Sequence, residues 1–138
     1  YYICSKVNSI SEPDVFQPKI IKIDITGNVD WQRAFAANGK KYHQFRATST
    51  LGGDIVVVGS SGREVTRGYD EDAFLLRVNG DGNLLWSRPY GTYDQDDWGW
   101  SVFETPLGNL VFVGATKSFN ASLFDIYLVG TNAEGISQ

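Results

Sequence analysis

The sequence predicts an all-β fold made of repeated four-stranded antiparallel units, and three observations carry that expectation. Sliding the 138 residues by 55 positions lays 20–61 onto 75–116 without a gap, with nine identical pairs. Apolar and β-branched runs of five to eight residues alternate with turns rich in Gly, Asn and Asp, the pattern of short strands. No segment keeps a helical apolar period over a useful length, so helix is nearly absent.

The identical pairs are Gly27/Gly82, Asn28/Asn83, Trp31/Trp86, Arg33/Arg88, Thr50/Thr105, Gly53/Gly108, Val56/Val111, Val58/Val113 and Gly59/Gly114. The first unit reads as strands at 19–25, 29–35, 42–50 and 54–61. In the second, a strand at 72–79 enters the turn Gly80-Asp81-Gly82-Asn83, whose residues tolerate positive φ, and leaves as a strand at 84–90. A loop at 91–97 then leads to a strand near 98–105, a turn at 106–109 and a strand near 110–116. The polar stretches Gly62–Glu71 and Lys117–Phe124 read as links between units. Tyr1-Tyr2-Ile3 falls on Val56-Val57-Val58, and Asp125-Ile126-Tyr127-Leu128 repeats Asp72-Ala73-Phe74-Leu75 at 53 positions, so the repeat runs off both ends.

A four-stranded antiparallel unit of this length is the size of a β-propeller blade, which buries its faces against neighbouring blades. The expectation is a β-propeller fragment of about 2.5 four-stranded antiparallel blades with a 55-residue repeat. Residues 1–18 are its incoming last strand and link, 19–71 and 72–124 its blades, and 125–138 the start of the next. A two-sheet sandwich is the competing all-β reading, although it does not require a repeat in register. Missing sequence, or further copies of the same chain, must complete the ring.

The string from Asp72 to Gly91 resembles the β-propeller repeat of secreted and cell-surface proteins, whose units read roughly D-x-F-L-x-K-x-D-x-x-G-N-x-x-W-x-x-x-Y-G. Asp97-Trp98-Gly99-Trp100-Ser101-Val102 and 107–116 are similar to the rest of that unit. The resemblance covers nearly the whole chain and implies an extracellular or cell-surface propeller of no particular activity. The sequence departs from the pattern at Gly130, where Lys is usual, and at Pro18-Lys19-Ile20, where D-x-F is usual. Thr26-Gly27-Asn28-Val29-Asp30-Trp31 is also similar to the T-G-x-x-x-W docking motif of quinoprotein dehydrogenase propellers, whose Trp packs between blades. The sequence displays none of the cofactor and metal residues such enzymes need.

Composition narrows the chemistry. Sixteen acids against twelve bases leave a formal charge of −4, which disfavours a nucleic-acid partner. The apolar runs are far shorter than the roughly 20 residues of a membrane helix. One cysteine, Cys4, and one histidine, His43, allow no internal disulfide and leave any metal or acid–base site resting on carboxylates. Cys4 maps onto Gly59 and reads as a buried thiol, and His43 as a strand or loop residue. Asp70-Glu71-Asp72 reads as charge at a strand start, since Asp72 recurs as Asp125.

Trp31 and Trp86 hold the same repeat position and read as packing residues between blades; Gly27 and Gly82 read as turn residues, Gly59 and Gly114 as glycines in crowded strands. The most unusual stretch runs from Tyr93 to Trp100, with three carboxylates and three aromatic rings in eight residues. Tyr93, Trp98 and Trp100 beside Asp94, Asp96 and Asp97 could hold a sugar ring, or the three acids could supply oxygen ligands to calcium. The alternative is a solvated loop with a Trp packed inward. The turns at 24–30 and 79–83 superficially match calcium loops but lack the distal Glu of an EF-hand. Asn120-Ala121-Ser122 is an N-glycosylation sequon on a surface link.

These features lead to a non-catalytic extracellular module, a structural or adhesive building block of a surface or fibrous (glyco)protein assembly. Its expected partners are neighbouring blades or further copies of the chain, with glycans a further candidate. No cofactor is expected, calcium at the 93–100 loop being the alternative. A carbohydrate-binding propeller using that loop is the second reading, and an enzyme with its active site in further blades the third.

Overall fold

The computed structural model describes residues 1–8, 16–35, 41–65 and 68–138. Their strands are β1 (Tyr2–Asn8), β2 (Phe16–Ile23), β3 (Val29–Ala34), β4 (Lys41–Ser49), β5 (Ile55–Val65), β6 (Gly68–Val78), β7 (Leu84–Tyr90), β8 (Asp97–Glu104), β9 (Leu110–Thr116) and β10 (Asp125–Thr131). They form three antiparallel sheets in the orders β1-β2-β3, β4-β5-β6-β7 and β8-β9-β10. The described residues contain no helix.

The sheets run half a unit out of step with the sequence units. The middle sheet takes its first two strands from the 19–71 segment and its last two from across the 71/72 boundary, so those blade limits cut through a hydrogen-bonded sheet. Residues 1–8 likewise pair with β2 and belong to the first sheet. Gly62–Glu71 is not a link, because its ends lie in β5 and β6 and pair from Gly62↔Glu71 out to Val65↔Gly68. A ladder needs backbone groups, not apolar side chains, so a polar stretch can continue it. Lys117–Phe124 also lies within one sheet, between β9 and β10. The chain passes from the first sheet to the second after β3, and from the second to the third through 91–96.

Alternation along β5 explains the layering. Ile55 through Ser60 are all buried, so this strand is covered on both faces, and its period of two deals the side chains to two cores. Ile55 and Val57, with Phe74, Leu76 and Val78 of β6, pack with Ile20, Phe35 and Tyr42. Val56 and Val58, with Ala73 and Leu75, pack with Val102, Leu110, Phe112 and Val129 of the third sheet. The sheet β4–β7 is the middle layer of three. Each fully buried Leu, Ile or Val contributes roughly 1.5–3 kcal/mol relative to leaving it exposed.

Glycines permit close approach within the second and third sheets and, at Gly99, between them. A Cβ on Gly114 would fall 1.6 Å from the Trp98 carbonyl oxygen, and one on Gly99 would fall 2.5 Å from Val58 Cγ2. A Cβ on Gly59 would fall 2.6 Å from the Gln44 carbonyl oxygen. The crowding expected at Gly59 and Gly114 is therefore backbone against backbone.

Five turns share one design. In each, the fourth residue is a glycine with positive φ, namely Gly27, Gly53, Gly82, Gly108 and Gly135, and its N–H donates to the carbonyl of the first residue. That first residue, Asp24, Thr50, Asn79, Thr105 or Asn132, also accepts on its side-chain oxygen from the fifth residue's N–H. Past the last turn, Ser137 bridges Thr131, as Leu84 pairs with Val78 at the equivalent place 53 positions earlier.

The outer turns are gripped by the preceding sheet. Lys22 Nζ and Trp31 Nε1 donate to the Gly80 carbonyl at 3.0 and 3.1 Å, and Arg33 donates to the Gly82 carbonyl at 3.0 Å and to Asn83 Oδ1 at 2.8 Å. At the next joint Arg77 donates to Ala133 at 3.0 Å, Arg88 to Glu134 at 2.6 Å and the Tyr90 hydroxyl to Gly135 at 2.6 Å. The Trp31 ring lies where a Gly82 Cβ would be 3.0 Å away, and the Trp86 ring where a Gly135 Cβ would be 2.7 Å away. Trp31 and Trp86 thus pack between sheets.

Two outcomes follow from this architecture. Trp86→Ala should cost about 3 kcal/mol in urea unfolding, and Trp100→Ala, on an exposed ring, less than about 0.5 kcal/mol. The Asp24 carboxylate accepts from the Thr26 hydroxyl, the Asn28 N–H and amide, and the Thr26 N–H, which hold its pKa at about 2 against an ordinary 3.8. A depressed carboxylate contributes stability above its unfolded value and loses it as pH falls from near 4 through about 2. Thr26→Val should move the Asp24 carboxyl titration, followed by NMR, upward toward 3.8.

Candidate functional site

At the end of the strands opposite the five turns, the 93–100 segment divides into parts with different fates. Tyr93 and Asp94 are exposed, with Asp94 at φ 63°, a left-handed conformation that Asp tolerates better than most residues. Asp96 pairs with Lys117 Nζ at 2.7 Å. Asp97 is wholly buried. It accepts from the Thr116 hydroxyl, from the Ser118 hydroxyl at 2.6 Å and from the Thr92 N–H at 3.3 Å. Such charge-assisted bonds tie the 91–96 loop to the β9–β10 connection. Gly91, at φ 147°, leaves the room this carboxylate needs, since a Cβ there would meet Asp97 Oδ2 at 2.1 Å. Burial pushes the nearby Tyr127 hydroxyl up to about 12, aided by the charges of Asp97 and Asp72.

Trp98 points inward. Its indole stacks on Phe124 with centroids 4.3 Å apart, and its Nε1 donates to Glu71 Oε2 at 2.7 Å. Glu71 also lies 3.8 Å from His43 Nε2. His43 and Trp98 occupy the same repeat position, so the His43–Glu71 contact in the middle sheet stands where the Trp98–Phe124 stack stands in the third. Lys6, His43, Gln44, Ser60, Glu71 and Trp98 line a cavity of about 340 Å3 drawn from all three sheets.

A second cavity, of about 280 Å3, is lined by Gln44, Arg46, Gly99 and Trp100. Both of its strands are bulged there. The β4–β5 register shifts between His43 and Arg46, with Gln44 at φ 40°, and the β8–β9 register shifts between Gly99 and Ser101. Bulges re-aim side chains, and Trp100 is left 48 % exposed.

The structure thus separates the candidates. Trp98, Asp96 and Asp97 are engaged within the chain, Tyr93, Asp94 and Trp100 face outward, and Asn120 and Ser122 of the sequon are exposed. Gln44, Arg46, Lys6 and Ser60 are not singled out by the sequence, and Glu71 reads there only as part of the Asp70-Glu71-Asp72 charge cluster. The repeat register was the available signal, since it sets His43-Gln44-Phe45 beside Trp98-Gly99-Trp100. Cys4 is half-buried in β1, and that burial raises its thiol to about 11, so it is held protonated.

Among the described residues no three His, Cys, Asp or Glu side chains gather as a metal site, and no helix is long and apolar enough to cross a membrane. The chain matches no protein-family model and no curated protein.

A calcium ion at the loop would have to displace the Lys117 and hydroxyl partners of Asp96 and Asp97. Millimolar calcium should leave the melting temperature within about 1 °C of its metal-free value. A larger rise would restore the calcium reading.

Proposed function

We propose that the chain is a β-propeller segment of about 2.5 blades and serves as a non-catalytic, structural or adhesive building block of an extracellular (glyco)protein assembly. The observation that carries this reading is the joint between sheets. Trp31 and Trp86 pack on Gly82 and Gly135, and Lys22 and Arg77 donate to the Gly80 and Ala133 carbonyls, at equivalent places, so each added unit meets its neighbour through the same kind of joint. Strand numbers of three, four and three fit blades of four, with Ser137 and Gln138 starting a fourth strand beside β10 in the register of β7. The exposed Asn120 on the β9–β10 connection suits a glycan that would not disturb a joint.

The denatured mass of the intact native protein tests the reading. A mass well above 15.3 kDa, spread in hexose-sized steps, is expected. A single sharp mass at 15.3 kDa from a monomeric native protein would overturn it.

The carbohydrate-binding alternative loses Trp98 to its stack on Phe124 and keeps Trp100, the exposed indole of a bulged strand.

A further inference from the structure

We propose that the cleft between β4 and β8, lined by Gln44, Arg46, Gly99 and Trp100, binds a single uronic-acid unit of an acidic polysaccharide. Arg46 supplies the first argument. Arg33, Arg77 and Arg88 all grip turn carbonyls at the joints, whereas the Arg46 guanidinium donates one hydrogen bond, to the adjacent Phe45 carbonyl at 3.3 Å. It meets no carboxylate among the described residues, and none of the four residues lining the cleft is acidic. A guanidinium left in this state matches a carboxylate through two parallel N–H donors.

Trp100 supplies the second. Trp100 is 48 % exposed and lines the same cleft, while Trp31, Trp86 and Trp98 are half-buried at sheet contacts. An open indole beside a cation and an amide offers a flat apolar face for the C–H side of a pyranose. The Gln44 amide has donors and an acceptor for hydroxyls. A carboxylate on an acidic peptide would satisfy Arg46 but would leave the indole face uncovered.

The backbone supplies the third. Gln44 sits at φ 40° in the β4 bulge, and Trp100 is the residue skipped by the β8 bulge at the repeat-equivalent place. Strained residues and bulges of this kind occur where a side chain is aimed at a ligand. Bare Gly99 is required by its approach to Val58, and it also leaves the floor of the cleft open. A volume of about 280 Å3 falls just below the range of whole-ligand sites, the size for one ring of a longer chain.

The inference stands apart from the building-block reading and would survive its failure. The intact protein is titrated with tri-galacturonate, with neutral maltotriose and with tetraglutamate, following tryptophan fluorescence and indole N–H shifts. Saturable binding of tri-galacturonate is expected, with maltotriose and tetraglutamate each weaker by about tenfold or more. Arg46→Gln and Trp100→Ala should each weaken it about tenfold or more, and Arg46→Lys, which keeps the charge but not the fork, by an intermediate amount. Circular dichroism establishes that each variant is folded, and Arg46→Lys stands in for Arg46→Gln if that one is not. The proposal is overturned if tri-galacturonate gives no saturable change, if tetraglutamate binds as tightly, or if the folded variants keep full affinity.

Discussion

The middle sheet is apolar on both faces, and the rest of the molecule follows from that. Val56 and Val58 point to one core while Ile55 and Val57 point to the other, so neither neighbour can be removed without exposing a continuous row of β-branched side chains. A sheet of this kind is stable only as an inner layer. Packing alone, however, leaves the rotation between layers loosely defined. The directional bonds from Trp31, Arg33, Arg77 and Arg88 to turn carbonyls fix it, because a carbonyl accepts along limited directions. Hydrophobic burial supplies the stability, and hydrogen bonds to backbone oxygens supply the register.

The loop that attracted notice in the sequence turns out to be mostly a fastening. Asp97 collects Thr116, Ser118 and Thr92, and Asp96 collects Lys117, so carboxylates that could hold an ion instead hold the β9–β10 connection. The binding potential lies one step further along β8, where the bulge turns Trp100 outward. Aromatic residues two positions apart, Trp98 and Trp100, therefore divide structural and exposed roles between them.

Much of this was legible in the residues because it is local. The turn signal, an oxygen-bearing first residue and a glycine three positions later, needs no tertiary context, and all five turns carry it. The strands 84–90 and 110–116 were read with their observed limits for the same reason. The phase of the sheets was not legible, since a hairpin and a crossover between sheets both appear as a polar gap between apolar runs. On that ground Gly62–Glu71 reads as a link in the sequence and is a strand pair in the fold. The cleft at Gln44 and Arg46 was hidden for a different reason: its bulges lie beside Gly59 and Gly114, glycines whose crowding involves strands more than a dozen residues away. Residue type alone could not separate Trp98 from Trp100, because the difference is made by Phe124 of the β9–β10 connection and Glu71 of β6.

The period, rather than any starting point within it, is what recombination would preserve. Positions 55 apart occupy equivalent places in successive sheets, so excising or inserting one whole period, wherever the cut falls, would join equivalent residues and leave the two-sided core and the joints in register. A cut of any other length would join residues that belong to different layers. An array built this way changes length in single steps without passing through a broken layer.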